Sequence, residues 1–244
     1  MCELFGVSAR RPVQGRQLPL AEFRARGGAA ADNPDGWGIA WREEGGLRLE
    51  KEPLPGSESC LFDRLIGRIE SDLIVAHVRK ARFPPVNTEA NTHPFRRDCC
   101  ERDWVFAHNG LVPEIVALET ASGGRVCSPE GETDSEFAFC HMLGHVTRHF
   151  PTRAADWPAV LGLVSELIAR HGKFNFLLSD GEHLIAYGHD RLHYRASDDA
   201  VMVATEPLGE VAGWAPFEPG ELRIWRAGRQ VGQAATHPPA PAET

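Results

Sequence analysis

The chain has 244 residues, with 26 lysines and arginines against 34 aspartates and glutamates, for a formal net charge of −8. That balance argues against a nucleic-acid partner, because phosphate binding needs clustered cations. No apolar run approaches the ~20 residues of a membrane span, and the N-terminus lacks a basic region followed by an apolar core, so the cytoplasm is the expected compartment.

Six cysteines, at 2, 60, 99, 100, 127 and 140, show no regular framework. Reduced thiols are therefore expected in place of disulfides. Cys2 to Ala9 reads as a strand, with Leu4, Gly6 and Ser8 on one face, Phe5, Val7 and Ala9 on the other, and Pro12 closing it. Residues 18–26 are helical or irregular, and the turn-rich stretch from Gly27 to Gly36 is a loop. Trp37 to Arg42 and Leu47 to Lys51 then form a hairpin around Glu43-Glu44-Gly45-Gly46.

From Ser59 to Ile69 the apolar residues Leu61, Phe62, Leu65, Ile66 and Ile69 recur at helical spacing. The run Leu73-Ile74-Val75-Ala76-His77-Val78 is short and rich in β-branched residues, which predicts a buried strand delivering Arg79 at its end. Residues 80–103 carry no strong period and three prolines; a loop of that length in a compact domain is usually functional. Trp104 to His108 is the next strand, ending at the turn pair Asn109-Gly110. Thr133-Asp134-Ser135-Glu136 has the pattern of a capping box opening a helix that runs to Pro151, and a second helix spans about 159–170, stopped by Gly172.

Beyond Gly172 the period changes to that of short strands, at 174–178, 184–187, 192–195, 201–205 and 222–225, separated by turns that imply antiparallel pairing. From about residue 227 to 244 the chain is rich in Ala and Pro and reads as a flexible tail, which leaves one domain over residues 1–226. Strands, two helices and more strands point to an α+β fold of packed antiparallel sheets with helices outside.

Five polar clusters fall where a site could gather them: Cys2, Asp35-Gly36-Trp37-Gly38, His77-Val78-Arg79, His108-Asn109-Gly110 and Thr133-Asp134-Ser135-Glu136. A cysteine directly behind the initiator methionine becomes residue one once that methionine is removed. It then carries a thiol and a free α-amine whose ordinary pKa values, ~8.5 and ~7.7–8.0, lie close together. One residue would then hold both a nucleophile and its base. The competing reading is a small hydrophobe starting a buried strand. An arginine ending a buried strand suits a carboxylate, or else an internal salt bridge.

Asn109 and the Gly110 N–H can donate to an oxyanion, or form a plain hairpin turn. Asp134 can bind an ammonium, or simply complement a helix N-terminus. His141, His145 and His149 share one helix face, but no glutamate motif completes a metal site and Cys99-Cys100 are a poor pair for one ion, so neither metal nor cofactor is expected.

In their order along the chain, Cys2 with Gly6, Asp35-Gly36-Trp37-Gly38, Arg79, Asn109-Gly110 and Asp134 resemble the class II, or N-terminal nucleophile, glutamine amidotransferases. The stretches Met1-Cys2-Glu3-Leu4-Phe5-Gly6, Thr92-His93-Pro94-Phe95, Gly131-Glu132-Thr133-Asp134-Ser135-Glu136, Phe174-Asn175-Phe176-Leu177-Leu178-Ser179-Asp180-Gly181 and Ala204-Thr205-Glu206-Pro207-Leu208 are similar to the stand-alone YafJ-like branch. The resemblance covers roughly residues 2–226 and implies a four-layer αββα sandwich of two antiparallel sheets.

It also implies glutamine as donor. By that resemblance Cys2 would attack the side-chain amide, Asn109 and Gly110 would hold the oxyanion, Arg79 would take the α-carboxylate and Asp134 the α-ammonium. His93, Gly36 and Trp37 are expected beside the substrate. Many relatives carry Arg-x-Ala-Thr where this chain has Arg79-Lys80-Ala81-Arg82. Two other functions stay open: a hydrolase of larger γ-glutamyl amides or peptides, and a non-catalytic regulatory or binding subunit. A partner enzyme that accepts ammonia is compatible with the resemblance, though nothing in the chain resembles a synthase domain.

Overall fold

A computed structural model of the chain describes residues 1–44, 46–82, 85–99, 101–121, 126–149 and 157–237. β1 (Glu3–Gln14) is followed by a short helix α1 (Leu20–Ala25), the hairpin of β2 (Trp37–Glu43) and β3 (Gly46–Glu52), helix α2 (Cys60–Arg68) and β4 (Glu70–Val78). β5 (Phe95–Cys99) and β6 (Arg102–Leu111) lead into α3 (Ile115–Ala121), α4 (Asp134–His149) and α5 (Trp157–Ala169). The chain then returns to strands: β7 (Lys173–Ser179), β8 (His183–Gly188), β9 (His193–Ala196), β10 (Ala200–Ala204), β11 (Ala215–Pro216), β12 (Glu221–Arg226) and β13 (Arg229–Ala235).

These strands form two sheets in which every pairing is antiparallel. The order is β11-β9-β10-β1-β4-β2-β3 in the seven-stranded sheet and β13-β12-β8-β7-β6-β5 in the six-stranded one. Because side chains alternate across a strand, β1 sends Leu4 toward the opposite sheet and Phe5, Val7 and Ala9 toward α1 and α2. Leu4, Val75, Val105, Leu177 and Ala186 belong to the core between the sheets. Phe106, Phe174 and Phe176 pack on the outer side of the six-stranded sheet against Phe139 and Leu143 of α4 and Leu161 of α5. Three apolar layers of this kind separate four layers of structure, the αββα sandwich.

Local chemistry sets the helix starts. Ser59 caps α2, its Oγ accepting the Phe62 N–H at 2.9 Å, and losing such a cap typically costs ~1 kcal/mol. Only half of the expected capping box forms on α4. Thr133 Oγ1 accepts the Glu136 N–H at 3.3 Å, but the Glu136 carboxylate turns to the N–H groups of Glu130 and Gly131 and to Arg97.

Four expectations are corrected and one helix is added. Pro12 does not end β1: it lies at a register irregularity between Ser8 and Val13, where a missing N–H leaves no ladder bond unmade. The stretch 80–103 contains the edge strand β5, whose charged Arg96, Arg97 and Asp98 hide its pattern. Asn109-Gly110 is not a turn, since β6 runs through it with Asn109 opposite Asn175 and Gly110 opposite Phe174. Gly110 has φ +150°, and a Cβ there would sit 1.9 Å from the Lys173 carbonyl oxygen, so only glycine fits. α3 was not foreseen. Finally, residues 229–235 are not a tail but β13, paired along β12; residues 238–244 lie outside the described residues.

Candidate active site

The register Glu3↔Val78 places the residue before β1 beside the residues after β4. Cys2 therefore rests on the main chain of Lys80, whose N–H donates to Sγ at 3.1 Å while the thiol donates to the Lys80 carbonyl at 3.3 Å. Burial pushes the Cys2 thiol above its ordinary pKa; the Lys80 N–H and the Arg79 charge pull it back. Met1 is 57% exposed, and its peptide bond to Cys2 leads out of the fold.

Arg79 is held by a small clamp. Its N–H donates to the Gly36 carbonyl at 2.7 Å and its own carbonyl accepts the Asp35 N–H at 3.0 Å. The Asp35 carboxylate accepts the Ala81 N–H at 2.8 Å and the Asn87 amide at 3.1 Å, which holds both residues against it. The Arg79 Nη1 donates to the Asp35 carbonyl (3.2 Å), the Val86 carbonyl (3.3 Å) and Asn87 Oδ1 (3.0 Å). None of these partners carries a charge. Burial lowers the Arg79 pKa, the nearby Cys2 and Asp35 charges oppose that shift, and a guanidinium stays protonated.

The other sheet and the helix behind it bring an amide and a carboxylate. Asn109, 2% exposed, donates from Nδ2 to the Cys2 carbonyl. Asp134, first residue of α4, accepts the Val112 N–H at 2.6 Å and the Ser135 N–H at 2.9 Å. Cys2, Arg79, His93, Gly110 and Asp134 line one cavity of about 320 Å³, with Arg82 at the same wall.

Three buried histidines back that cavity. His77 donates from Nε2 to the His108 carbonyl at 3.1 Å and so joins β4 of one sheet to β6 of the other. His108 donates from Nε2 to the Lys173 carbonyl at 3.1 Å, which leaves Nδ1 to accept the Ser135 hydroxyl at 2.9 Å. His93 packs on His77 with ring centroids 4.2 Å apart, and neither of its ring nitrogens meets a hydrogen-bond partner among the described residues. Burial drives all three below the usual histidine pKa, His77 to about 3 and His93 well down, so they are neutral at pH 7.

Three expected residues do not line the cavity, the first being Asn109, whose amide is turned to the Cys2 carbonyl. The Trp37 ring is fully buried on the helix side of its sheet, stacked on Phe62 at 4.4 Å with Nε1 donating to Glu52; strand alternation turns it away from the cavity. Gly36 does not line the cavity either. At φ +141°, beside Thr92, it offers its carbonyl to Arg79. Sequence reasoning also missed Lys80, which acts through its main chain and so leaves no side-chain signature. It gave no role to Asn175, although a polar residue between Phe174 and Phe176 in a buried strand was a visible signal.

Elsewhere His141 meets Glu119 of α3 at 2.9 Å, and no metal-ligating group of three or more His, Cys, Asp or Glu occurs among the described residues. Cys2, Cys60, Cys127 and Cys140 are free thiols; Cys100 lies outside the described residues. No helix among the described residues is long and apolar enough to cross a membrane.

The sequence profile of the class-II glutamine amidotransferases matches residues 1–197. YafJ of Escherichia coli (strain K12), named as a glutamine amidotransferase, is 34% identical over 95% of this chain and all of its own length. A Haemophilus influenzae protein named in the same way is 31% identical over 98% of this chain and 88% of its own. Among solved structures, a glutamine amidotransferase assigned from sequence in Pseudomonas aeruginosa superposes with a TM-score of 0.70 at 31% identity, over 95% of this chain and all of that one. The glutamine phosphoribosylpyrophosphate amidotransferase of Bacillus subtilis shares the fold, with a TM-score of 0.72 at 17% identity over 96% of this chain and 49% of that one.

Proposed function

The chain belongs to the class II glutamine amidotransferases, and from that premise we propose that it cleaves the side-chain amide of glutamine through a γ-glutamyl thioester on Cys2. One observation carries the reading. Cys2, Arg79, Gly110 and Asp134, brought from the ends of one sheet, a strand of the other and the start of α4, line a single cavity. Arg79 binds the α-carboxylate and Asp134 the α-ammonium, which lays the γ-amide of the substrate toward Sγ. His93, whose ring nitrogens meet no hydrogen-bond partner among the described residues, supplies a neutral polar contact.

Removal of the exposed Met1 frees the α-amine of Cys2. That amine takes the thiol proton as Sγ attacks the amide carbon, and the carbonyl oxygen becomes an oxyanion held by the Gly110 N–H and the second N–H of the Asn109 amide, the first being on the Cys2 carbonyl. Collapse breaks the C–N bond, and the ammonium returns its proton to the leaving ammonia. Water then attacks the thioester, the amine accepts its proton, and glutamate leaves as the thiol re-forms. Ammonia either diffuses away or passes to an acceptor enzyme. The cytoplasm is the compartment this reading assigns to the reaction.

The cavity would hold about ten water molecules at ~30 Å³ each, and beyond the charged pair its wall carries Val86, Pro113 and Val116. That apolar wall favours a second reading, a larger γ-glutamyl amide in place of free glutamine. Turnover of glutamine against a panel of γ-glutamyl amides, using protein shown to begin at Cys2, tests both. Glutamate release from glutamine supports the first reading; release only from the larger amides supports the second. Release from none leaves a binding subunit.

A further inference from the structure

We propose that Asn175 is the positioning residue that fixes which end of the Asn109 amide faces the nucleophile. The proposal rests on the oxyanion role just given to Asn109 and deepens it.

Asn175 is fully buried in the middle of β7, directly across from Asn109 on β6. Its Oδ1 accepts three consecutive main-chain N–H groups, from His189 at 2.8 Å, Asp190 at 3.1 Å and Arg191 at 3.2 Å. Only an amide oxygen can satisfy three donors, so the other end of that side chain must be nitrogen. This nitrogen donates to Asp190 Oδ1 at 2.6 Å, to the Asn109 carbonyl at 3.2 Å and to Asn109 Oδ1 at 3.3 Å. Asp190 is steadied in turn by Lys173 Nζ at 3.4 Å.

The orientation passes along the row. With a donor on the Asn175 side, Asn109 must present Oδ1 to it and Nδ2 to Cys2, which is the arrangement found. An Asn amide turns readily about χ2, a broad and roughly two-fold torsion. Turned over, it would aim a carbonyl oxygen at the developing oxyanion, replacing attraction by repulsion. The three N–H groups at the β8–β9 turn thus set the polarity of a donor on the far side of β7.

The test exchanges the two polar ends without changing net charge. In Asn175→Asp combined with Asp190→Asn, the oxygen that accepts the three N–H groups remains, and the amide introduced at position 190 can donate where the Asp190 carboxylate accepted. The donor toward Asn109 is gone, so the Asn109 amide turns its nitrogen inward. Steady-state glutaminase kinetics are measured for wild type, Asn109→Ala, the exchanged pair and the combination.

The exchanged pair is expected to lower kcat about 10²-fold, the scale of one lost oxyanion donor, with little change in KM. In the Asn109→Ala background it should cost nothing further, because no amide is left to orient. Equal losses in both backgrounds, or a kcat unchanged by the exchange alone, would overturn the proposal. Full activity in Asn109→Ala would instead remove the oxyanion role itself, so the two failures are distinct. If the exchanged pair does not fold, Asn175→Asp alone, assayed above neutral pH, keeps the oxygen that accepts the three N–H groups, withdraws the same donor and enters the same cycle with the same criteria.

Discussion

The two sheets supply the site in different ways. On the seven-stranded side the parts are held by main chain: Cys2 Sγ takes the Lys80 N–H, and Arg79 exchanges main-chain bonds with Asp35 and Gly36. On the six-stranded side, side chains hold side chains, with Asn175 against Asn109 and Ser135 against His108. The lesson is that Cys2 and Arg79, the proposed nucleophile and anion site, are placed by strand register, which a point substitution rarely moves. The donors are placed by a polar network, which one substitution can rearrange while the fold stays intact.

The largest expected effect comes from removing the proposed, register-held nucleophile. Cys2→Ala should lower glutaminase activity on the scale of ~10⁶-fold, as loss of a covalent nucleophile does, with the unfolding midpoint unchanged because Cys2 lies outside the strand ladder. A residual rate within tenfold of wild type would show that another group does the chemistry.

Next comes the tie between the halves. His77 is neutral with its folded pKa depressed to about 3, against 6.5 unfolded, so the unfolded chain binds the extra proton across that window. Stability is therefore fully present above pH 6.5 and falls as pH drops, by about 4 kcal/mol at pH 3 from this residue. Denaturant unfolding between pH 7 and 4 should show a steep loss that His77→Gln flattens. Identical slopes would remove His77 as the source.

Asn109→Ala tests the network side alone: kcat should drop ~10²–10³-fold with KM little changed. A KM effect would mean that the residue binds ground-state substrate. The smallest effect is expected for Arg79→Lys, which keeps the charge but loses the planar fork. KM for glutamine should rise about 10–100-fold, the worth of one charge-assisted hydrogen bond, with kcat nearly kept. An equal fall in kcat would place Arg79 in the reacting geometry itself.

Much of this was readable from residue order. The central strands β1, β4, β6 and β7 are buried on both faces, so their apolar runs announce them, and the helices carry a 3.6-residue period. The edge strands β5 and β13 were illegible because an edge needs only main-chain partners, and sequences such as Arg229-Gln230-Val231-Gly232-Gln233 show no inward face. Asn109-Gly110 misled for a related reason: its local turn preference yields to pairing with β7. Cys2, Arg79, Gly110 and Asp134 were legible as candidates by residue type and place. Trp37 was misjudged because a motif gives no face, whereas strand alternation does.

The most direct measurement is the intact mass of purified protein before and after a glutamine-like diazoketone, with the modified residue located by fragmentation. The expected result is a chain lighter by one methionine that gains a single adduct on Cys2, and none in Cys2→Ala. A chain that keeps Met1 while hydrolysing glutamine, or an adduct on any other residue, would contradict a nucleophile and base united in the first residue.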